Sequence, residues 1–291
     1  MVKRIPPLGI VNAFILFLLG AITLYPFYNI YIYAFNEGTD SLKAVLYLWP
    51  RKFTFDNIAK ALTQDGIMSA FQLSVLRTAV GTILTLVCTS SLAYAMTRRD
   101  IKGYRFFSNY FFITFVFTGG LIPFYITMLK LNLYDTFWVL VLPGIYSFWY
   151  MIIFRTFFDA IPKALAEAAQ VEGASFIHIF LRVIAPLSKP VYATIGLFAG
   201  VNYWNDWFTG LFFVKKEHLL PLQSLLQKVM NETDMISKFG LVVGSSQAAQ
   251  TVTPYSIKLA IVVISVTPII LVYPFLQKYF AKGMMLGSIK G

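Results

Sequence analysis

Six stretches of the chain read as near-continuous apolar runs, at residues 10–35, 70–97, 106–129, 133–158, 191–214 and 255–280. Each exceeds the ~20 residues an α-helix needs to cross a hydrocarbon core. The pattern therefore predicts an all-α polytopic membrane protein with about six transmembrane helices. Tyr25-Pro26 is expected to break the first run, Gly119-Gly120 and Pro123 fall inside the third, and Pro143 inside the fourth. The first run also invites a signal-peptide reading, but no A-x-A-like cleavage site follows and the run is too long. Residues 36–66 are polar and mixed, with aromatic interruptions such as Trp49-Pro50, and read as an external loop lying partly on the membrane surface.

One helix-competent stretch between the fourth and fifth runs could not sit in lipid. Residues 159–190 read DAIPKALAEAAQVEGASFIHIFLRVIAPLSKP. Pro162 suits a first helical turn, and Lys163 to Val171 is rich in strong helix formers. At about 100° per residue, Ile161, Ala164, Leu165, Ala168 and Val171 share one face and Lys163, Glu167 and Gln170 the other. Gly173 offers a stop, since glycine takes left-handed dihedrals without cost. Ser175 can cap a second helix with Phe176, Ile179, Phe180 and Val183 at i, i+3, i+4, i+7. Pro186 is expected to end it.

Composition agrees with the periodicity. The chain has 291 residues, 58% hydrophobic and 13% charged, with mean hydropathy +0.69, which excludes an ordinary soluble domain. The net charge of +11 is spread between the runs rather than clustered, so it argues for membrane topology and against nucleic acid. Thirteen of the 24 Lys and Arg fall in the N-terminal tail with Lys3 and Arg4, the turn at 98–105, the 155–190 region and the C-terminal end. The other connections carry nine over far more residues, and most of the acidic residues. Both termini and the 159–190 stretch are therefore expected on the cytoplasmic side.

The 159–190 stretch resembles the EAA loop of permease subunits from binding-protein-dependent ABC importers. Its pattern is met by Glu167-Ala168-Ala169, by Gly173, and after nine residues by Val183-Ile184-Ala185-Pro186, with Val183 for Ile and Ala185 for Leu. Phe117 to Pro123, Tyr203 to Trp207 and Tyr273 to Phe280 are similar to sugar-importer permeases of the maltose-type group, in its branch associated with complex and plant-derived oligosaccharides. The resemblance implies a type I importer permease fold. Residues 1–69 would hold a cytoplasmic tail, the first span and an outer loop. Residues 70–291 would form a permease core of five spans. Glu167, Ala168, Ala169, Gly173 and Pro186 would then couple to an ATPase. The implied partners are a second homologous permease making a heterodimer, two ATPase subunits that bind ATP and Mg, an extracytoplasmic sugar-binding protein and membrane lipid. The implied location is a bacterial cell membrane.

Several chemistries are excluded by the residues alone. No G-x-x-x-x-G-K-[ST] occurs, so the chain supplies no P-loop and no cofactor site of its own. A lone Cys88, with His178 and His218 far apart, offers neither a disulfide nor a metal cluster. Gly196-x-x-x-Gly200 fits a close helix approach as well as mere composition.

Asp206 is the one acidic residue in the interior of an expected span, ~22 Å from Val191 toward the outer face, since Asp135 stands at the very start of the fourth run. Around it stand Asn202, Tyr203, Trp204, Asn205 and Trp207. On a helix Asn202, Asn205 and Asp206 share a face, with Tyr203 and Trp207 as an adjacent stripe. Amides, a carboxylate and flat rings suit a sugar path. They equally suit an interfacial aromatic belt around a solvated cavity, and both readings stand. Arg77 and Lys258, near outer span ends, are expected to snorkel.

A secondary transporter would show buried titratable pairs or repeated spans, and a membrane enzyme converging catalytic groups. Neither pattern is visible, so no catalytic residue is assigned, and an importer permease for carbohydrate or another solute is the expected function. The charge count has a direct consequence. With Cys88 replaced, Gln170→Cys should react with an impermeant maleimide only from the cytoplasmic side and Asn231→Cys only from outside. The reverse labelling would invert the topology.

Overall fold

The computed structural model describes residues 7–43, 45, 48–64, 66–238 and 252–287. Lys3 and Arg4 lie outside the described residues, as do the side chains of Tyr273 and of residues 275–280. The described residues form fourteen α-helical segments joined by turns, and a single isolated bridge, Asn36 to Phe53, is their only β pairing. Three helices are long and apolar enough to cross a membrane, at Gly9–Ala34, Ile67–Ala95 and Pro254–Val272. Three bent helix pairs bring the number to six when each pair counts as one span.

The chain divides into two compact units, residues 1–68 with 226–268 and residues 69–225 with 269–291. In the first, α1 (Pro7–Ala34) runs through Pro26 without the expected break. In lipid, opening the backbone would strand several polar groups, whereas a proline removes one N–H. The stretch after α1, read as an external loop, is locally folded, with Trp49 and Phe55 on its exposed side. It holds α2 (Gly38–Ser41) and α3 (Asp56–Thr63). Asn36, fully buried, donates to Asp40 Oδ2 and Ser41 Oγ and accepts the Lys52 N–H. Asn57 donates to the carbonyls of Ala34 and Asn36, closing the end of α1. The Asn36 and Arg51 contacts hold the Asp40 carboxyl below the usual range. Part of α14 (Pro254–Gly287) belongs here too. Thr253 and Ser256 exchange hydrogen bonds at its start, and Gly38 packs there so closely that a Cβ would sit 2.7 Å from Ser256 Oγ.

The second unit is built on α4 (Ile67–Ala95). The third expected span is a bent pair, α5 (Tyr104–Val116) and α6 (Leu121–Lys130), which diverge by 117°. Gly120, at φ +83°, makes the reversal without a Cβ clash, and Pro123 falls in the first turn of α6, where a missing N–H costs least. The fourth expected span is also broken. Short 3₁₀ turns at Phe137–Leu140 and Leu142–Gly144 precede α7 (Phe148–Asp159) at 47°.

The carbonyls freed in those turns are not stranded. Leu140 accepts from Arg77, Val141 from Tyr203, Gly144 from Thr85 and Ile145 from Thr89, so three of the four donors come from α4. Irregular backbone at membrane depth is tolerated when buried protein groups satisfy it.

Beyond α7 lie α8 (Lys163–Val171), α9 (Phe176–Ile179), a π turn at Phe180–Ile184 and α10 (Ala185–Leu187). Then come α11 (Lys189–Asn205), α12 (Phe208–Phe213) and α13 (Leu222–Lys238). The fifth expected span thus stops at Asn205, and α13 forms where an outer loop was expected. Gly196 and Gly200 face α4, with room for a Cβ only at 3.4 Å from Leu86 and 3.5 Å from Thr82, so the GxxxG marks a helix crossing.

Packing is close around Tyr203, whose ring lies against Gly81 of α4 and Gly144. A Cβ on Gly81 would fall 2.6 Å from the ring, and one on Gly144 2.7 Å from the hydroxyl. Gly81→Ala should therefore destabilise the chain by about 1–3 kcal/mol through overpacking. Gly20→Ala, where nothing lies within 4 Å, should leave the detergent-solubilised melting curve unchanged.

Candidate functional site

Two places gather the residues singled out in the sequence, and both lie in the second unit. The first is the 159–190 stretch. Helix α8 ends in a Schellman motif. The Gly173 N–H donates to Gln170 O and the Ala174 N–H to Ala169 O, both at 2.9 Å, with Gly173 at φ +83°. Ser175 caps α9 by accepting the His178 N–H. Ile179, Phe180 and Ile184 turn inward to a core that includes Phe154, Phe158 and Ile195.

Pro186 sits in α10, and the helix ends one residue later at Leu187. The chain then bends by 83° into α11 over buried Ser188, whose hydroxyl donates to Ile184 O.

Packing decides which face of α8 turns inward. Ile161, Ala166 and Ala169 pack on the core, whereas Ala164, Ala168, Leu165 (45% exposed) and Val171 (89% exposed) face outward beside Glu167. The apolar stripe read from the sequence is real but outward. An unaided stripe of this kind is what a partner surface would cover. Glu167 also borders a cavity of about 680 Å³ whose far wall is the basic turn, Arg98, Arg99 and Asp100. Arg98 forks onto Asp100 at 3.0 and 2.9 Å and draws its carboxyl down to about 2.

The second place is a cavity of about 370 Å³ at the end of α11. Asn202, Tyr203, Asn205, Asp206 and Trp207 line it together with Arg77 and Thr209. Trp204 does not; it is buried and meets Phe71 edge-on. Asn202, Asn205 and Trp207 are exposed, while Tyr203 is buried in the glycine cradle. Asp206 is half-buried and ends α11. Its Oδ1 accepts the Thr209 N–H at 3.0 Å, which starts α12.

Arg77 does not snorkel. It is 2% exposed, and its guanidinium donates to Leu140 O and Asp206 O, each at 2.8 Å, and to the Asp206 carboxylate. It also lies 5.9 Å from the centre of the Tyr203 ring. In an apolar bundle, three anchored donors outweigh a free guanidinium reaching for water. Lys258, the other expected snorkeller, is half-buried.

Arg77 is the functional residue that sequence reasoning missed. The available signal was its pairing with Asp206. Asp206 and Arg77 are the carboxylate and the cation farthest from the ends of their apolar runs, and they make a default pair, since lone charges there are costly. Removing one member strands the other. Asp206→Ala should cost about 3–5 kcal/mol, whereas Asn205→Ala beside it should stay within about 0.5 kcal/mol. Thermal unfolding of the purified protein measures both.

Comparison with known proteins places these features among relatives. Residues 66–286 match the family described as the binding-protein-dependent transport system inner membrane component. The chain is 37% identical over 281 residues to the protein LplC of Bacillus subtilis, covering 95% of this chain and 93% of that one. It is 34% identical to the polygalacturonan/rhamnogalacturonan transport system permease protein YtcP of the same organism, covering 95% and 96%. It is 30% identical to the arabinooligosaccharides transport system permease protein AraQ of Halalkalibacterium halodurans, covering 93% and 92%. A chain of a bacterial ABC transporter that imports the acidic polysaccharide alginate superposes with a TM-score of 0.85 at 28% identity, covering 96% of this chain and 99% of that one.

Proposed function

Since the chain belongs to the family of binding-protein-dependent transport system inner membrane components, a multi-pass membrane family, we propose that it is one permease half of an ATP-driven importer for oligosaccharides. The class of solute rests on the relatives, whose names attach to pectic and arabinan-type oligosaccharides and to alginate. The cavity at the end of α11 suits that cargo. Arg77 and Asp206 neutralise each other, leaving Asn202, Asn205 and Thr209 to meet hydroxyls and the Trp207 indole, 41% exposed, to lie against a sugar's C–H face.

Energy has to come from elsewhere, because the sequence carries no P-loop. Two ATPase subunits binding ATP and Mg would supply it, a second permease would complete the path, and an extracytoplasmic binding protein would deliver solute. The termini and the 159–190 loop would face the cytoplasm. The observation that best supports the coupling role is the outward face of α8, with Glu167 beside Val171 and Leu165, held rigid by the Schellman turn at Gly173. Glu167 offers a charge-assisted contact, the apolar residues a seat, and Ala168 allows close approach, while Ala169 on the other face packs α8 onto the core. Pro186 sits at the joint where the loop bends into α11. ATP-driven closure of the ATPase pair would move this loop as a body and reorient the spans, and hydrolysis would reset them.

The test is to purify the tagged chain with its bound partners. ATP hydrolysis is then measured in proteoliposomes with the binding protein and either oligogalacturonides or arabino-oligosaccharides. Hydrolysis should rise with one of these sugars. Glu167→Ala should lose about 2–5 kcal/mol of docking energy, and Gly173→Asp should strain the turn. Both should insert normally and lose ATPase association or uptake. Normal uptake by both variants would take the coupling role away from this loop.

A further inference from the structure

The coupling loop and the cavity meet one helix at two levels, the loop near its end and the cavity about three turns from its start. α4 carries Tyr94 near its last turn and Arg77 nearer its first, ~25 Å apart along the axis at ~1.5 Å per residue. At the Tyr94 end, the ring lies between Phe176, 4.4 Å away and tilted by 22°, and Phe180, 4.9 Å away and tilted by 20°. Arg98, just past the helix, places its guanidinium 5.3 Å from the Phe176 ring. The segment after Gly173 is therefore clamped to α4 by stacked rings.

Nearer the start of the helix, Arg77 is bonded to Asp206, the residue that caps the end of α11, through its carbonyl and carboxylate, and to the 3₁₀ turn through Leu140 O. Between the two ends α4 crosses α11 at Gly196 and Gly200. The Thr78 and Thr82 hydroxyls buried at that crossing have no hydrogen-bond partner. The glycine crossing itself is a van der Waals contact, while nearer Arg77 the Tyr203 hydroxyl is hydrogen-bonded to Thr85 at 3.2 Å and its ring seats against Gly81, so α11 is tied to α4 at the cavity end.

The covalent route from loop to cavity is less direct. It passes through the π turn and the 83° bend at Ser188, and a bent joint absorbs rotation that a straight helix carries.

We propose that α4 is the rod that carries coupling-loop motion to the cavity, and that Arg77 is the positioning residue that hands it to α11 through Asp206. This rests on the importer reading above. Arg77 need not touch the solute. It fixes where Asn205 and Trp207 stand relative to α4, so a displacement of Tyr94 moves the cavity wall.

The test uses the assembled importer in nanodiscs with Cys88→Ala and Asn205→Cys, and follows maleimide labelling at 205 with and without ATP–vanadate trapping. No sugar is needed. The labelling rate should differ at least fivefold between the two states. In Arg77→Gln with Asp206→Asn, which leaves neither partner as a stranded charge, the difference should fall below twofold per trapped complex. Arg77→Lys, which keeps the charge, should recover at least half of it.

A double variant that is poorly inserted yet keeps the full difference per trapped complex would make the pair purely structural and overturn the proposal. A hydrolysing native complex whose labelling at 205 ignores the nucleotide state also overturns it, and leaves the importer reading standing. A native complex without vanadate-sensitive hydrolysis removes the importer reading, and this proposal with it.

Discussion

A guanidinium buried among apolar helices must place its N–H donors on acceptors, and the second unit is arranged around that demand. Arg77 takes the Leu140 carbonyl, the Asp206 carbonyl and the Asp206 carboxylate. Meeting it requires that α11 end at Asn205, that Asp206 leave helical geometry with ψ 98°, and that the chain near Leu140 not be a regular α-helix, whose carbonyl would be committed elsewhere. The broken fourth and fifth spans are two consequences of one buried charge.

The same logic governs the rest of the cavity wall. The carbonyls of Val141, Gly144 and Ile145 are each matched by a hydroxyl from α4 or α11, and the close approach this needs is made by glycine at 81 and 144. Tyr203 fills the space between those glycines and bonds Val141 O, so a residue that resembles a sugar-stacking platform is spent on holding helices together. Asn202, Asn205 and Trp207 remain for contact with whatever occupies the cavity. Positioning and contact are thus divided between adjacent residues of one helix end.

The 159–190 loop shows the complementary case. Its rigidity is local, from the Schellman turn and the Ser175 cap, while its surface is unfinished, with Val171 and Leu165 outward. A rigid element with an uncovered apolar face suits a part that moves as a body against another subunit. The stacked rings of Tyr94, Phe176 and Phe180 join it to α4.

What the sequence determined by itself was set by forces acting over short stretches. Apolar runs longer than a bilayer's core marked the membrane spans. Helix formers bounded by Gly173 and Ser175 marked the two helices of the loop, and the spacing from Glu167 to Pro186 carried the family resemblance. These are periodicity and backbone preferences, legible without knowing any neighbour. The tertiary structure alone decided which face of α8 turns inward, that Pro26 leaves α1 unbroken, that residues 36–57 fold around Asn36, and that Arg77 is paired rather than solvated. Each depends on what surrounds the residue in the fold, and in the case of Arg77 and Asp206 the partner is 129 positions away. Periodicity shows that a residue is apolar or charged, but the cost of burying it is set by what stands opposite, and only the folded chain brings that partner into place.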